Sequence, residues 1–151
     1  MPAPTSSRTL LAKNLNIHRK RLGVSQVAVS RAAGLGANTV GKIEKRMPNV
    51  HLDTVNRLAI ALDVDPCLLL AVDSSASGNG SYVERELGVC VAGNTKRLRT
   101  SLGLTQEEVA LRSGLTRFYV YRVESENVSI ALGTLDALAC AFGVEAWQLL
   151  T

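Results

Sequence analysis

Asn38, Lys42 and Arg117 are the side chains in this sequence best suited to recognise another molecule by hydrogen bonding. An Asn amide donates and accepts at once, so it can pair twice with an adenine edge. A Lys can reach guanine or phosphate, and an Arg fork matches guanine. Gly36, Ala37 and Gly41 surround the first pair, and Ala37 could touch a thymine methyl. Thr116, Phe118, Tyr121 and Arg122 surround Arg117. Gln26 and Gln106 offer amide donors at two expected helix N-termini, where a phosphate would also meet the helix dipole. Thr39 and Tyr119 could add phosphate hydrogen bonds, and Arg21, Lys45 and Arg46 could pair with phosphates without reading sequence.

Bond-making chemistry finds no support. The sequence has no paired carboxylates, no nucleophile beside a base and no phosphate-cradling glycine loop. Cys67, Cys90 and Cys140 are scattered and form no CxxC, which argues against a disulfide framework or a zinc site and suits a reducing cytoplasm. His18 and His51 lack ligand spacing, and His18 falls on an apolar helix face. The expectation is therefore a non-enzyme with no cofactor and no metal. Apolar runs such as Cys67–Val72 are too short to span a membrane.

Two stretches must position the recognition residues, Gln26–Glu44 and Gln106–Glu124. Each reads as two short helices joined by a sharp turn. Ser25 and Thr105 stand where they can cap the first of the two helices. Ser30 and Ala110 are small enough for a close helix crossing. Gly34 and Gly114 sit where the turn most easily takes positive φ. Val40 with Ile43, and Val120 with Val123, mark the buried face of the second helix. A helix-turn-helix requires this pattern of small, Gly and apolar positions.

Sliding the sequence by 80 residues overlays Ala12–Leu70 on Ala92–Leu150 without a gap. Asn14 falls on Asn94, Arg19 on Arg99, Gln26 on Gln106, Glu44 on Glu124 and Leu58 on Leu138. Such register indicates a duplicated unit. The hydrophobic content of 46% with only 4% aromatic residues favours cores of Leu, Val, Ile and Ala, as in small helical domains. Charge divides unevenly. Residues 1–75 carry ten Lys/Arg and five Asp/Glu, a net +5, while residues 76–151 carry seven and eight, a net −1. A basic first half suggests a polyanionic partner for that half, although ordinary surface variation gives the same count.

Along the chain, Met1–Thr5 reads as a short arm, and Ser6 or Ser7 as the cap of a helix to about Leu22. Leu11, Leu15, His18 and Leu22 share one face of it. Fourth and fifth helices follow at Leu52–Leu62 and after Asp65–Pro66. DSSASGNGS, residues 73–81, reads as a flexible linker reaching roughly 15–18 Å as a random coil. Ser81 and Glu84 form a capping-box pattern that predicts a helix from there to Leu102. The second unit then repeats the first, with its fourth helix over Leu132–Phe142 and its fifth over Ala146–Leu150.

LGVSQVAVSRAAGLGANTVGKIE and LGLTQEEVALRSGLTRFYVYRVE both resemble the Cro and lambda-repressor type of helix-turn-helix domain, the XRE family. The resemblance covers about 60 residues in each half. It implies an all-α fold: two tandem five-helix lambda-repressor-like DNA-binding domains at 6–72 and 82–151, joined by the short Gly/Ser linker at 73–81. It implies that the third helix of each unit enters the major groove of double-stranded DNA, and that Arg19 pairs with Glu44 and Arg99 with Glu124. The family usually has Gly two residues after the Glu that closes this helix, and Arg46 and Glu126 stand there instead. That departure bears on where the third helix ends. The implied role is a transcriptional regulator, a repressor by expectation, in a bacterial or phage-encoded cytoplasmic setting.

Alternatives stay open at individual residues. Asn38 can equally be a solvated helix residue, and Lys20, Arg21, Lys45 and Arg46 ordinary solvated charges. Phe118, Tyr119 and Tyr121 beside Arg117 and Arg122 also suit a protein-binding hot spot. An antitoxin or adaptor whose second unit binds a protein, or dimerises, is the competing expectation. Homodimers of the chain are compatible with both.

Overall fold

The computed structural model describes residues 5–73, 80–125 and 128–151. Within them the chain forms α1 (Ser7–Leu22), α2 (Gln26–Ala32), α3 (Thr39–Arg46), α4 (Leu52–Leu62), α5 (Pro66–Leu70), α6 (Leu87–Ser101), α7 (Gln106–Ser113), α8 (Arg117–Ser125), α9 (Leu132–Phe142) and a 3-10 helix, η1 (Ala146–Leu150). The all-α, duplicated architecture expected from the sequence is present.

Local chemistry explains most boundaries. The Ser6 hydroxyl accepts from Thr9 N at 3.3 Å and opens α1, and Ser25 accepts from Ala28 N at 3.0 Å to open α2. Thr105 repeats that cap on Glu108 N at 3.1 Å. Asp65 accepts from Cys67 N, with Pro66 in the first turn of α5, where its missing N–H costs nothing. Gly34 and Gly114 take φ of 70° and 73° between the two helices of each motif, a backbone conformation that a Cβ disfavours.

Two expectations need correction. The helix predicted from Ser81 starts only at Leu87, and the Ser81–Glu84 capping box does not form. Tertiary partners outcompete it. Tyr82 N donates to Asp63 Oδ1, Tyr82 Oη donates to Asn56 Oδ1 at 3.0 Å, and Arg85 Nη2 meets Asp65 Oδ1 at 2.5 Å. These contacts hold residues 80–86 outside any helix, against α4 and the start of α5. Leu22 also leaves the apolar face assigned to it, and is 56% exposed at the end of α1. Of the predicted linker, residues 74–79 lie outside the described residues, as do Met1–Pro4 of the arm and Glu126.

The units repeat to the level of single hydrogen bonds. Asn14 Nδ2 donates to the carbonyls of Leu69 and Ala71 at 3.1 and 2.9 Å. Asn94 Nδ2 donates to Leu149 and Thr151 at 3.0 and 2.9 Å. In each case a buried amide ties the first helix of the unit to the end of its fifth. The units are not beads on a tether. Leu11, Leu15, Leu69 and Leu70 share one continuous core with Val91, Leu135, Leu149 and Leu150. α5 packs on η1, α1 on α9 and α4 on α6.

Between the units, His51 and Ala131 form an isolated antiparallel bridge. Leu52 N donates to Ile130 O at 2.8 Å and Leu132 N to Val50 O at 2.9 Å. Ser7 at the start of α1 donates through N and Oγ to Asp136 of α9, at 3.0 and 2.5 Å. Asn49 Oδ1 accepts from Gly133 N at 2.8 Å.

Candidate nucleic-acid interface

Each helix-turn-helix is locked from behind by one carboxylate. The Glu44 carboxylate accepts from Arg19 Nε (3.1 Å) and Nη2 (3.3 Å), from Asn16 Nδ2 (3.0 Å) and from Gln26 Nε2 (2.5 Å). Arg19 Nη1 also donates to the Val24 carbonyl at 3.1 Å. In the second unit Glu124 accepts from Arg99 Nε at 2.6 Å and from Gln106 Nε2 at 2.5 Å, and Arg99 Nη1 donates to Leu104 O. The Arg–Glu pairing implied by the family resemblance is thus present in both units. Each pair holds together the first helix, the loop before the second, the start of the second and the end of the third.

These bonds engage the Gln side chains. Gln26 and Gln106 do stand at the N-termini of α2 and α7, yet each points one amide N–H at the locking carboxylate. Ser30 does more than provide a small side chain at the crossing. Its buried hydroxyl donates to Gln26 O at 2.9 Å and accepts from Val40 N at 3.0 Å, joining α2 to the first turn of α3. Ala110 at the matching position has no hydroxyl, and Val120 N bonds Thr116 O instead.

In the first unit, Gln26, Ala37, Asn38, Lys42, Lys45 and Arg46 line one open recess. Asn38 occupies the N-cap position of α3 but makes no side-chain capping bond, so its amide is exposed. Lys42, Lys45 and Arg46 are exposed along the same helix. Gly36 is exposed, and Thr39 is half-buried with its Oγ1 beside Gly36. Gly41 is half-buried, and a Cβ there would come within 3.1 Å of Gln26 Oε1. Arg21 does not join this group: it lines a separate recess with His18, Leu22, Asp63 and Ser81.

α3 runs through position 46, where the family usually has Gly. The left-handed turn falls on Met47, with φ 48°. The absence of Gly at 46 therefore moves the helix end and leaves the motif intact.

The second unit presents different chemistry. Thr116 Oγ1 accepts from Tyr119 N at 3.1 Å and so serves the start of α8. Arg117 is exposed in the first turn and shares a recess with Thr105, Gln106 and Glu107. Phe118 is 68% exposed and Tyr121 49%, whereas Tyr119 is half-buried against the core and Arg122 is half-buried. Glu107 and Glu108 occupy the first turn of α7. Their charges already complement the helix dipole and oppose a phosphate there. Val27 and Ala28 stand at the matching positions in α2, so the first unit carries no such opposition. The adjacent Glu107 and Glu108 of LTQEEVA, where the first unit has Val27 and Ala28, are the signal in the sequence for this difference.

The sequence also matches known proteins. The helix-turn-helix family model matches residues 10–69 and again residues 96–146. The chain belongs to the helix-turn-helix family. A Neisseria hypothetical transcription factor from Neisseria meningitidis serogroup B is 42% identical over 67 residues, covering 44% of this chain and 63% of that protein. An uncharacterized HTH-type transcriptional regulator, y4dJ, from Sinorhizobium fredii is 43% identical over 61 residues, covering 40% of this chain and 79% of its own. The crystal structure of hypothetical transcription factor NHTF from Neisseria overlays with a TM-score of 0.42 at 42% identity, over 43% of this chain and 73% of that one. The chain thus spans somewhat less than two thirds of the Neisseria relative's length.

Among the described residues no group of His, Cys, Asp and Glu could hold a metal ion, and no helix is long and apolar enough to cross a membrane. Burial and the neighbouring Asp65 push the Cys67 thiol up to about 12, against the opposing pull of Arg85, and so favour its protonated form.

Proposed function

We propose that this chain is a sequence-specific double-stranded DNA-binding transcriptional regulator that reads the major groove with α3 and α8 and acts as a repressor by covering a promoter. The observation that carries the reading is the open recess of α2 and α3. There Asn38 presents an uncommitted amide beside Lys42, Lys45 and Arg46, on a motif braced from behind by the Arg19–Glu44 pair. Asn38 would pair with adenine, Arg117 with guanine, and the Lys and Arg side chains of α3 with phosphates. Two relatives, one described as a hypothetical transcription factor and the other as an HTH-type transcriptional regulator, support the same role. Selection of bound duplexes from a random pool tests it. Enrichment of a defined motif is expected, with affinity falling steeply as salt rises. Binding that ignores both sequence and salt would refute it.

A second reading draws on the second unit. Exposed Phe118 and Tyr121, with Glu107 and Glu108 close by in sequence and a net charge of −1 in that half, suit a protein surface as well as a duplex. The chain would then be an antitoxin or adaptor whose second unit binds a protein. A stoichiometric protein partner lost on Phe118→Ala, with DNA affinity unchanged, would favour it.

A further inference from the structure

The contacts between the units carry a symmetry that a linker alone would not impose. Under the 80-residue offset, Val50 corresponds to Ile130, His51 to Ala131 and Leu52 to Leu132. The bond from Leu52 N to Ile130 O therefore becomes the bond from Leu132 N to Val50 O when the units are exchanged. His51 pairs with its own counterpart, antiparallel. The packing of α1 on α9 likewise exchanges with that of α6 on α4, and α5 on η1 maps onto itself. Reciprocity of this kind defines a two-fold axis, here between His51 and Ala131. A translation relating the units would map no contact onto its partner.

We propose that one chain is a covalently closed pseudo-dimer whose DNA site consists of two half-sites that are inverted and unequal in sequence. This rests on the DNA-binding reading above and adds the architecture of the site. Inversion follows from the axis: rotation by half a turn presents the two third helices in opposite directions along a duplex. Inequality follows from the side chains. Gly36, Ala37, Asn38 and Lys42, at and just before α3, correspond to Thr116, Arg117, Phe118 and Arg122 at the matching positions of the second unit, and no pair is the same.

Chain length fixes the spacing. α3 ends at Arg46, five residues before His51, and α8 ends at Ser125, six before Ala131. At no more than ~3.6 Å per residue, plus about 5 Å across the bridged pair, the C-termini of the two third helices lie at most about 45 Å apart. With half of each helix added, at ~1.5 Å per residue, the midpoints of the two helices stay within about 58 Å. Half-sites one turn apart, about 34–36 Å, fall within this reach, and two turns, about 70 Å, do not. The shared core holds the arrangement, so the second unit does not search independently for its half-site.

The test uses the full chain on duplexes selected from a random pool. The expected motif is two different half-sites in inverted orientation, centred about 10 bp apart, with one chain per duplex by native mass spectrometry. Inserting 5 bp between the half-sites turns one away from its reader, and should weaken binding at least about 10-fold, to the level of a single half-site. Reversing one half-site should do the same. Half-sites in direct repeat, indifference to the insertion, or two chains on one site would overturn the proposal and leave the DNA-binding reading standing. No enriched duplex at all would overturn both.

Discussion

The Arg19 guanidinium meets the Glu44 carboxylate at two points, Nε to Oε1 at 3.1 Å and Nη2 to Oε2 at 3.3 Å, with the side chains 13% and 8% exposed. At that depth either charge alone is costly. Glu44→Leu should destabilise the protein by about 3–5 kcal/mol, because it strands a shielded guanidinium. Joining it to Arg19→Met should restore most of the loss, since no charge is then left unpaired. Urea unfolding of the two variants checks this, and a double variant as unstable as Glu44→Leu would contradict it.

Asn38 and Arg117 serve different units, so their losses should be separable. Asn38→Ala and Arg117→Ala should each weaken operator binding by about 1–3 kcal/mol and relax one base position in its own half-site. Lys45→Ala should weaken binding evenly across sequences and reduce the salt slope by about 1. Binding titrations on a panel of single-base operator variants separate the two kinds of effect. Equal losses on every variant for Asn38→Ala would show that it reads no base.

Met47 holds a left-handed turn that the family usually gives to glycine one position earlier. A side chain in that conformation costs roughly 1–2 kcal/mol, part of which glycine returns as backbone entropy of the unfolded chain. Met47→Gly should therefore stabilise the protein by about 0.5–1 kcal/mol in urea unfolding, with no change in DNA sequence preference. A loss of stability would mean that Met47, 40% exposed, contributes more by packing than its conformation costs.

His18 is 6% exposed with no hydrogen-bond partner at Nε2, and Leu98 occupies its place in the second unit. Burial, aided by the nearby Arg21 charge, lowers its affinity for a proton below the ordinary 6.5. Between 6.5 and that lower value the unfolded chain holds more protons than the native one. Stability must therefore fall as pH drops through this window. Melting temperatures at pH 7.5 and 5.5 should show the fall, and His18→Leu should reduce it. At pH 7.5 the same variant should gain about 1 kcal/mol by removing the unsatisfied nitrogen. Equal pH dependence in both proteins would exclude His18 as the source.

The duplicated helix-turn-helix was legible in the residues because its determinants are local. Caps such as Ser25, turns such as Gly34 and apolar pairs such as Val40 and Ile43 act within a few residues of one another. The Arg19–Glu44 pair was implied by the family resemblance, and both partners recur at the 80-residue offset. The late start of α6 was not legible. Ser81 and Glu84 carry a sound local signal, and only the side chains of Asn56, Asp63 and Asp65, distant in sequence, outcompete it. The arrangement of the units was likewise beyond sequence reading. A repeat records that two surfaces are alike, and it contains nothing about the axis that relates them. That axis depends on Val50, His51 and Leu52 meeting Ile130, Ala131 and Leu132 in space. Backbone hydrogen bonds of this sort use no distinctive side chain, so only the packed tertiary structure decides that a dyad relates the two readers.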